Sequence, residues 1–453
     1  MLGKVHFIGI KGTGMSALAS VLKEQGWQVT GSDVSEEFPT DRILRQAGLE
    51  TTEFAQQHIA NELDLVIYSA AYNASNPEYA KAQELGLKML SYPEALGELS
   101  HDYFSIGVAG MHGKSTITAM LASVLIEMQE DPTVILGTTV PELDNRNFRL
   151  GKSKLLLAET CEYRRHFLNF NPQALILSNL EAEHMDYFKD LADIKDAFFA
   201  YIRKLPAGAL LVYNGDDQHL PALCSQTKGP QKISAGFAVG NDFQAKRLDD
   251  QKFQVFVQGK PLASFRLAVP GNHNVLDALL VIAFCYSYKP LAFTVEALQK
   301  VLLKFRGGGR RLELKGEKKG ITILDDFAHH PTEIKASLQA TRERYPQARI
   351  WAVFMSHTYS RTETLLADFA SSFQNADRVI INKIFSSARE KQGKVNGQVL
   401  TDEIKKNHQN VFYIPEFSDT ITYLQDNLKA GDVVITMGAG DNYVIGEELL
   451  KIL

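Results

Sequence analysis

Val108-Ala109-Gly110-Met111-His112-Gly113-Lys114-Ser115-Thr116 stands between a short apolar run, YFSIGVAG, and a helical pattern, STITAMLASVLIEM. Strand, glycine turn, Lys-Ser-Thr and helix, in that order, predict a phosphate-binding loop at the edge of an α/β sheet. In such a loop the glycines let backbone N–H groups converge on phosphate oxygens. Lys114 supplies a point charge, and Ser115 offers a hydroxyl to a magnesium ion. The spacing is a shortened G-x-x-G-K-S-T, with Val108 where the longer pattern has glycine. Alone, the stretch predicts a nucleoside triphosphate site and leaves the use of the phosphate open.

The same architecture extends in both directions. Residues 1–100 alternate strand and helix patterns: VHFIGI, a helix from Met15, WQVTGSD, a helix near Asp41, and DLVIYSAA. Residues 101–306 hold the phosphate loop and further short apolar strands, KLLLAE, ALILSNL and ALLVYNGDD; an alternating segment from Asp242 to Val269 reads as an antiparallel addition, and a helix follows from Val275. Residues 307–453 begin at a hinge-like Gly307-Gly308-Gly309 and alternate again through GITILDD, RIWAVFM, DRVIINKI and DVVITMGAG. Strands alternating with helices at this spacing predict three α/β domains with parallel sheets, joined by short linkers.

Composition narrows the classes. The chain has 453 residues, 22% of them charged, and a net charge of -5. No basic face is implied, so nucleic acid is not an expected partner. Cys161, Cys224 and Cys285 are an odd, widely spaced set and read as reduced thiols of a cytoplasmic protein. The N-terminus enters a strand directly, so no signal peptide is expected. No apolar run reaches the roughly 18 residues of a membrane span.

Other stretches carry chemistry. Gly9-Ile10-Lys11-Gly12-Thr13-Gly14-Met15-Ser16 follows a strand and opens a helix, and the next strand ends in Ser32-Asp33. An acidic residue about twenty positions on is the dinucleotide-domain arrangement. The glycine order is G-x-x-G-x-G, so NAD is not implied. A diphosphate at the helix N-terminus and a ribose hydroxyl on Asp33 are expected, against the plainer reading of a tight turn without ligand.

Glu159 ends KLLLAE, while Asn179, Glu181, Glu183 and His184 follow ALILSN, on the same sheet edge as the phosphate loop. Ser115, Glu159 and His184 are expected to surround Mg²⁺ and the terminal phosphates. Cys161-Glu162-Tyr163-Arg164-Arg165-His166 is either a solvated loop or a substrate contact. Cys161 lacks a nucleophile signature.

Arg310 and Arg311, straight after the glycines, read either as a surface ion network or as charges that reach a γ-phosphate. Asp325-Asp326-Phe327-Ala328-His329-His330-Pro331-Thr332-Glu333 sits at a strand-to-helix junction. His357-Thr358-Tyr359-Ser360-Arg361-Thr362 ends the next strand. Arg361 could grip an amino-acid carboxylate bidentately, and His357 could orient or deprotonate the amine.

In order along nearly the whole chain, HFIGIKGTGMSALA, GMHGKST, ETCEYRRHFLNFNP, NLEAEHMDYF, GNHNVLDAL, FRGGGRRLE, DDFAHHPTEI, HTYSRT and MGAGD resemble the Mur ligase family. The likeness is greatest to the branch that joins L-alanine to UDP-N-acetylmuramate. The resemblance implies a Rossmann-like UDP-binding domain, a central P-loop ATPase domain and a Rossmann-like C-terminal domain. It implies a cytoplasmic monomer or homodimer that uses ATP and Mg²⁺ in peptidoglycan precursor synthesis, and so serves cell-wall growth, cell shape and division. ATP would phosphorylate the lactyl carboxylate, and the amine of L-alanine would displace phosphate.

By the same resemblance, Gly9, Gly12, Thr13, Gly14, Met15, Ser16, Ser32, Asp33, Ser69 and Ala70 would meet the UDP-sugar. Gly110, His112, Gly113, Lys114, Ser115, Thr116, Asn179, His273, Asn274, Arg311 and Asp326 would meet ATP, with Asp277 on the adenine side. Glu162, His329, His357 and Arg361 would hold the amino acid, and Ser115, Glu159 and His184 the metal. Lys114, His184, His357 and Arg361 would carry catalysis. Sister ligases place a carbamylated lysine where this chain has Phe198.

The departures from the pattern are Met111, Glu183 for Asp, Asp277 for Asn, Gly308-Gly309 for Val-Lys, Met355-Ser356 for Gln-Pro, and Asn442-Tyr443. A tripeptide-recycling ligase acting on the same sugar nucleotide and a divergent non-catalytic binding protein are the alternatives. HTYSRT speaks against the first, and retained Lys114, Glu159 and His184 against the second. The glycine order and the separate phosphate loop speak against an NAD-dependent oxidoreductase.

Overall fold

The computed structural model describes residues 2–185, 187–249, 251–288, 293–385 and 393–453. Asp186, the last acidic residue of NLEAEHMDYF, lies outside them. Three separate sheets form. The first contains β1 (Lys4–Ile8), β2 (Gln28–Ser32), β3 (Leu65–Tyr68) and β4 (Met89–Ser91), all parallel, in the order β2-β1-β3-β4. The strand order reverses beside β1, so the loop after β1 opens at a topological switch point.

The central sheet has ten strands: β5 (Phe104–Ala109), β6 (Thr133–Val140), β7 (Arg146–Arg149), β8 (Leu155–Glu159), β9 (Ala174–Leu177), β10 (Leu210–Asn214), β11 (Gln231–Gly236), β12 (Phe243–Arg247), β13 (Lys252–Val257) and β14 (Lys260–Arg266). Their order is β14-β13-β12-β11-β10-β9-β5-β8-β6-β7. β5 pairs in parallel with β8 on one side and β9 on the other. The expected antiparallel addition is β12 to β14.

The third sheet contains β15 (Glu313–Lys318), β16 (Ile321–Asp326), β17 (Ile350–Phe354), β18 (Arg378–Ile381), β19 (Val411–Tyr413) and β20 (Val433–Met437), in the order β15-β16-β20-β17-β18-β19. Only β15 runs antiparallel.

The central strands are apolar without alternation because both faces are covered. The helix Lys114–Glu127 packs on the sheet and against the helices Asn272–Ser287 and Val295–Lys304. Its residues from Ser115 to Leu125 are all buried, so its apolar positions run all round rather than along one stripe. The helix expected from Val275 begins earlier, at Asn272. No helix among the described residues is long and apolar enough to cross a membrane.

β6 and β7 were not among the strands expected, and they dock the first domain. The helix Thr13–Gln25 lies against both. Asn147 of β7, fully buried, donates its amide to Thr13 O at 2.8 Å and to Ser16 Oγ at 3.2 Å. One hydrophobic cluster runs from Val5 and Leu18 of the first domain to Phe167 and Tyr201 of the central one.

The glycine run before the third sheet is pinned rather than loose. Gly309 N–H donates to Thr139 O at 2.9 Å, and Thr138 Oγ1 donates to Gly309 O at 3.1 Å. A Cβ at Gly308 would lie 2.9 Å from Thr138 Cγ2, and one at Gly309 would lie 2.8 Å from Thr139 Oγ1. The close approach to β6 therefore excludes the valine and lysine of the family pattern unless the strand gives way.

Replacing Asn147 by alanine removes two interdomain hydrogen bonds, leaving the Thr13 carbonyl with Ser16 Oγ alone among side chains. We expect a loss of about 1–3 kcal/mol in urea denaturation.

Candidate active site

The phosphate loop is framed from the end of β9. Asn179 Oδ1 accepts from His112 N–H at 2.9 Å, and its amide nitrogen donates to His112 O at 3.0 Å. Gly110 and Gly113 have φ of 142° and 81°, a region that disfavours side chains. A Cβ at Gly113 would sit 2.7 Å from Asp277 Oδ1. Met111 turns its side chain into the core, 7% exposed, and its carbonyl accepts from Lys114 Nζ at 3.0 Å. This departure from the pattern thus leaves the loop's inner surface to backbone groups.

Lys114 Nζ lies 3.0 Å from Glu162 Oε2, and Glu162 Oε1 lies 3.2 Å from His184 Nε2. Burial pushes the Glu162 carboxyl up, yet Lys114 and His184 together hold it below the usual carboxylate range. Glu162 was expected at the amino acid. In the structure its side chain lies against Lys114 of the phosphate loop and His184. Its Oε2 is buried, with the Lys114 ammonium as its partner.

Ser115 Oγ donates to Glu159 Oε2 at 2.8 Å, and Gly137 N–H donates to the same oxygen at 2.9 Å. Ser115 with Glu159 and Glu162 with His184 are thus two separate pairs; the hard oxygens of Ser115 and Glu159 suit Mg²⁺, while His184 is turned to Glu162. Phe198 is buried edge-to-face on Phe167, so the position of the sister ligases' lysine is core here.

A cavity of about 150 Å³ connects this cluster to the first domain; Gly14 and Tyr92 line one side, Gly137, Glu159, Cys161 and His166 the other. Gly12 and Thr13 are exposed at the first glycine loop, while Gly14, Ser69 and Ala70 are half-buried. Gly9 (φ 85°) has no room for a Cβ, which would meet Tyr72 at 2.5 Å.

Four expected sugar-nucleotide contacts lie behind that rim. Met15 and Ser16 face the interior, and Ser32 is buried, donating to Glu78. Asp33 accepts from Lys11 N–H at 2.7 Å, Val34 N–H at 2.9 Å and Tyr72 Oη at 3.0 Å. Its carboxylate is thus committed to holding the loop's shape.

The third domain closes over the phosphate loop. Arg310 is structural: Nε lies 2.8 Å from Asp325 Oδ2, and its other nitrogens donate to Gly438 O and Gly440 O. Arg311 reaches Glu333 at 3.6 Å. Asp326, expected at ATP, accepts from Leu312 N–H at 2.8 Å, Ala328 N–H at 2.7 Å and Ser337 Oγ at 3.1 Å, all within its own domain.

His329, His357 and Arg361 come together as expected. The rings of His329 and His357 are 6.1 Å apart, and Arg361 Nη1 is 3.3 Å from His357 Nδ1. Arg361 Nη2 also donates to Glu183 Oε1 at 2.5 Å.

Three residues of the quoted stretches had no role assigned to them: Glu181, His330 and Glu333. His112 bridges Glu181 of its own domain and Glu333 of the third, with Nδ1 3.0 Å from Glu333 Oε1. Burial opposes the charge on His112, but Glu333 and Glu181 raise it to about 10, so the ring is an imidazolium. Glu333 is also the carboxylate of a capping box, accepting from His329 N–H at 3.0 Å and His330 N–H at 3.2 Å.

A second cleft, of about 620 Å³, separates Gly271, Asn272 and His273 from Thr332, Lys335 and Gln339 of the third domain. His273, expected on the adenine side, opens to it. Asn274 is buried and donates to Pro270 O at 2.6 Å.

Comparison with known proteins agrees over the whole chain. Residues 4–104 match the Mur ligase family catalytic domain, residues 108–285 the Mur ligase middle domain, and residues 310–440 the Mur ligase glutamate ligase domain. The UDP-N-acetylmuramate–L-alanine ligase of Treponema pallidum (strain Nichols) is 43% identical over 99% of this chain and 96% of its own. That of Desulfitobacterium hafniense (strain Y51) is 41% identical over 98% and 99%. Among solved structures, UDP-N-acetylmuramate-alanine ligase from Thermotoga maritima superposes with a TM-score of 0.84 at 26% identity, over 99% of this chain and 98% of that one. A murein peptide ligase from Psychrobacter arcticus gives 0.74 at 26% identity, over 99% and 98%.

Asp277 generates a prediction. Burial raises its carboxyl to about 8 despite Arg311 and His112, so it is neutral below that pH and anionic above it, facing Gly113. An anion there opposes a bound triphosphate. The KM for ATP should rise as pH passes through about 8, and Asp277→Asn should flatten that rise in steady-state kinetics. Parallel profiles for the two proteins would refute the assignment.

Proposed function

The chain belongs to the Mur ligase family, and we propose that it is the ATP-dependent ligase that joins L-alanine to the lactyl carboxylate of UDP-N-acetylmuramate, a cytoplasmic step in peptidoglycan precursor synthesis. One convergence carries this reading. The Lys114 loop and the Glu162–His184 pair lie between the first domain's glycine loop, reached through the cavity at Tyr92, and the third domain's His329, His357 and Arg361. Sugar nucleotide, triphosphate and amino acid thus approach one place from three domains. The relatives at 43% and 41% identity bear the L-alanine name, which favours this reading over peptide recycling.

The chemistry follows from the residues. A lactyl carboxylate entering from the first domain attacks the γ-phosphorus of ATP, ADP leaves, and an acyl phosphate forms. The amine of L-alanine attacks the acyl carbon, loses a proton, and phosphate departs from the tetrahedral intermediate. Phosphorylation turns a poor leaving group into a good one. Lys114, anchored between Glu162 and the loop carbonyls, is a cation within reach of the phosphates, and Arg311 adds a second from the third domain. Mg²⁺ held at the Ser115–Glu159 pair would supply further positive charge against the phosphoryl oxygens. Arg361 holds the incoming carboxylate, and His357, beside it, orients the amine and accepts its proton.

Purified protein given UDP-N-acetylmuramate, ATP and a panel of amino acids and peptides should release phosphate with L-alanine. Release with the tripeptide alone would assign it to recycling, and release with no acceptor would remove the ligase reading. Lys114→Ala should lower turnover by at least about 100-fold while binding of the UDP-sugar by calorimetry survives. Retained turnover would mean that the loop does not handle the transferred phosphate.

A further inference from the structure

We propose that Glu183 is a specificity gate on Arg361: its carboxylate occupies the guanidinium edge that the amino acid's carboxylate needs, and it passes to His330 when the amino acid arrives. The proposal rests on the reading of Arg361 as the carboxylate clamp. Glu183 belongs to the central domain's loop after β9, and Arg361 to the third domain's helix Tyr359–Thr364. They are 5% and 13% exposed and paired at 2.5 Å, deep enough for the ion pair to be little screened by solvent. A guanidinium edge bonded to one carboxylate is not open to a second.

The other oxygen of Glu183 shows where the side chain goes. Glu183 Oε2 is buried and has no hydrogen-bond partner among the described residues, and the same holds for His330 Nε2. These two orphaned atoms face each other at 3.6 Å. His330 Nδ1 accepts the backbone N–H of Thr332 at 3.3 Å. The neutral ring therefore carries its proton on Nε2, aimed at Glu183 Oε2. Donor and acceptor stand a few tenths of an ångström beyond a hydrogen bond. A small rotation of Glu183 away from Arg361 would complete it.

Both partners are third-domain residues, so the exchange keeps the domains docked. The extra methylene matters here. The family pattern has aspartate at 183, whose carboxylate is carried one methylene nearer the backbone and away from Arg361. The gate is a property of this chain's glutamate.

The test is the KM for L-alanine and for ATP, measured on the full-length protein and on Glu183→Asp, Glu183→Gln and Arg361→Lys. Glu183→Asp and Glu183→Gln should each lower the alanine KM, on the order of tenfold for one charge-assisted contact no longer displaced. The ATP KM should stay within about twofold. L-Lactate, a carboxylate without the amine, should inhibit both variants at lower concentration than it inhibits the parent. A merely structural role would raise the alanine KM instead. An unchanged or raised alanine KM in both variants overturns the gate. Glu183→Gln, which keeps the size of the side chain, decides the matter if Glu183→Asp melts early. Arg361→Lys separates the two ideas. If it leaves the alanine KM unchanged, the clamp reading fails; if it raises that KM while neither Glu183 variant lowers it, only the gate fails.

Discussion

β5 is hydrogen-bonded to β8 on one side and β9 on the other, and the whole site depends on that arrangement. Parallel strands end on the same edge, so the turn after β5 (the phosphate loop), the turn after β8 (Glu159 and Glu162) and the turn after β9 (Asn179 to His184) are forced into one small volume. The loop could not hold its shape alone. Asn179 clamps the backbone of His112 from both sides, and Ser178 supports it from below. Glu162 then offers a buried counter-charge to Lys114. The charge is tolerated at that depth because it is paired on each oxygen, once by an ammonium and once by an imidazole.

The third domain attaches to this edge through charge. His112 to Glu333, Arg361 to Glu183, and Thr332 to Glu181 at 3.1 Å all cross the seam. The departures from the family pattern are mostly absorbed by local packing. Met111 and Met355 fill core space, and Asn442 donates to Val353 O at 3.2 Å and Met437 O at 2.8 Å, tying the turn after β20 to its neighbours. Asp277 and Glu183 are different. Asp277 lies against Gly113 of the phosphate loop and Glu183 against Arg361, and the two together mark where this chain's own character lies.

Much of this was legible in the residues. Three α/β domains, the switch-point loops and the company of Lys114, Ser115, Glu159 and His184 follow from strand–turn–helix order, because parallel sheets bring their strand ends together. The β6–β7 hairpin was not read, although TVILGTTV is rich in β-branched residues, because no period separated it from the preceding helix. Side-chain direction was the other blind spot. Ser32, Asp33 and Asp326 sit at the strand ends where ligands are expected, yet all three turn back to satisfy backbone or side-chain groups of their own domain. Spacing does not say which way a carboxylate faces, and the pairing of Glu162 with Lys114 and His184 was beyond it for the same reason. Glu333 was hidden because its role in capping a helix and its role in bridging to His112 need the same residue in the same place.

The hydrophobic clusters divide unequally. One runs through the first and central domains together, whereas those of the third domain, around Leu324 and Val434, stay within it. The first two domains therefore share an interior. The third can part from them by exchanging ion pairs for water, without baring a core. Parting of that kind would expose little apolar surface, so little heat-capacity change would accompany it. The ion pairs at this seam are largely buried, so dissolved salt reaches them only once they part.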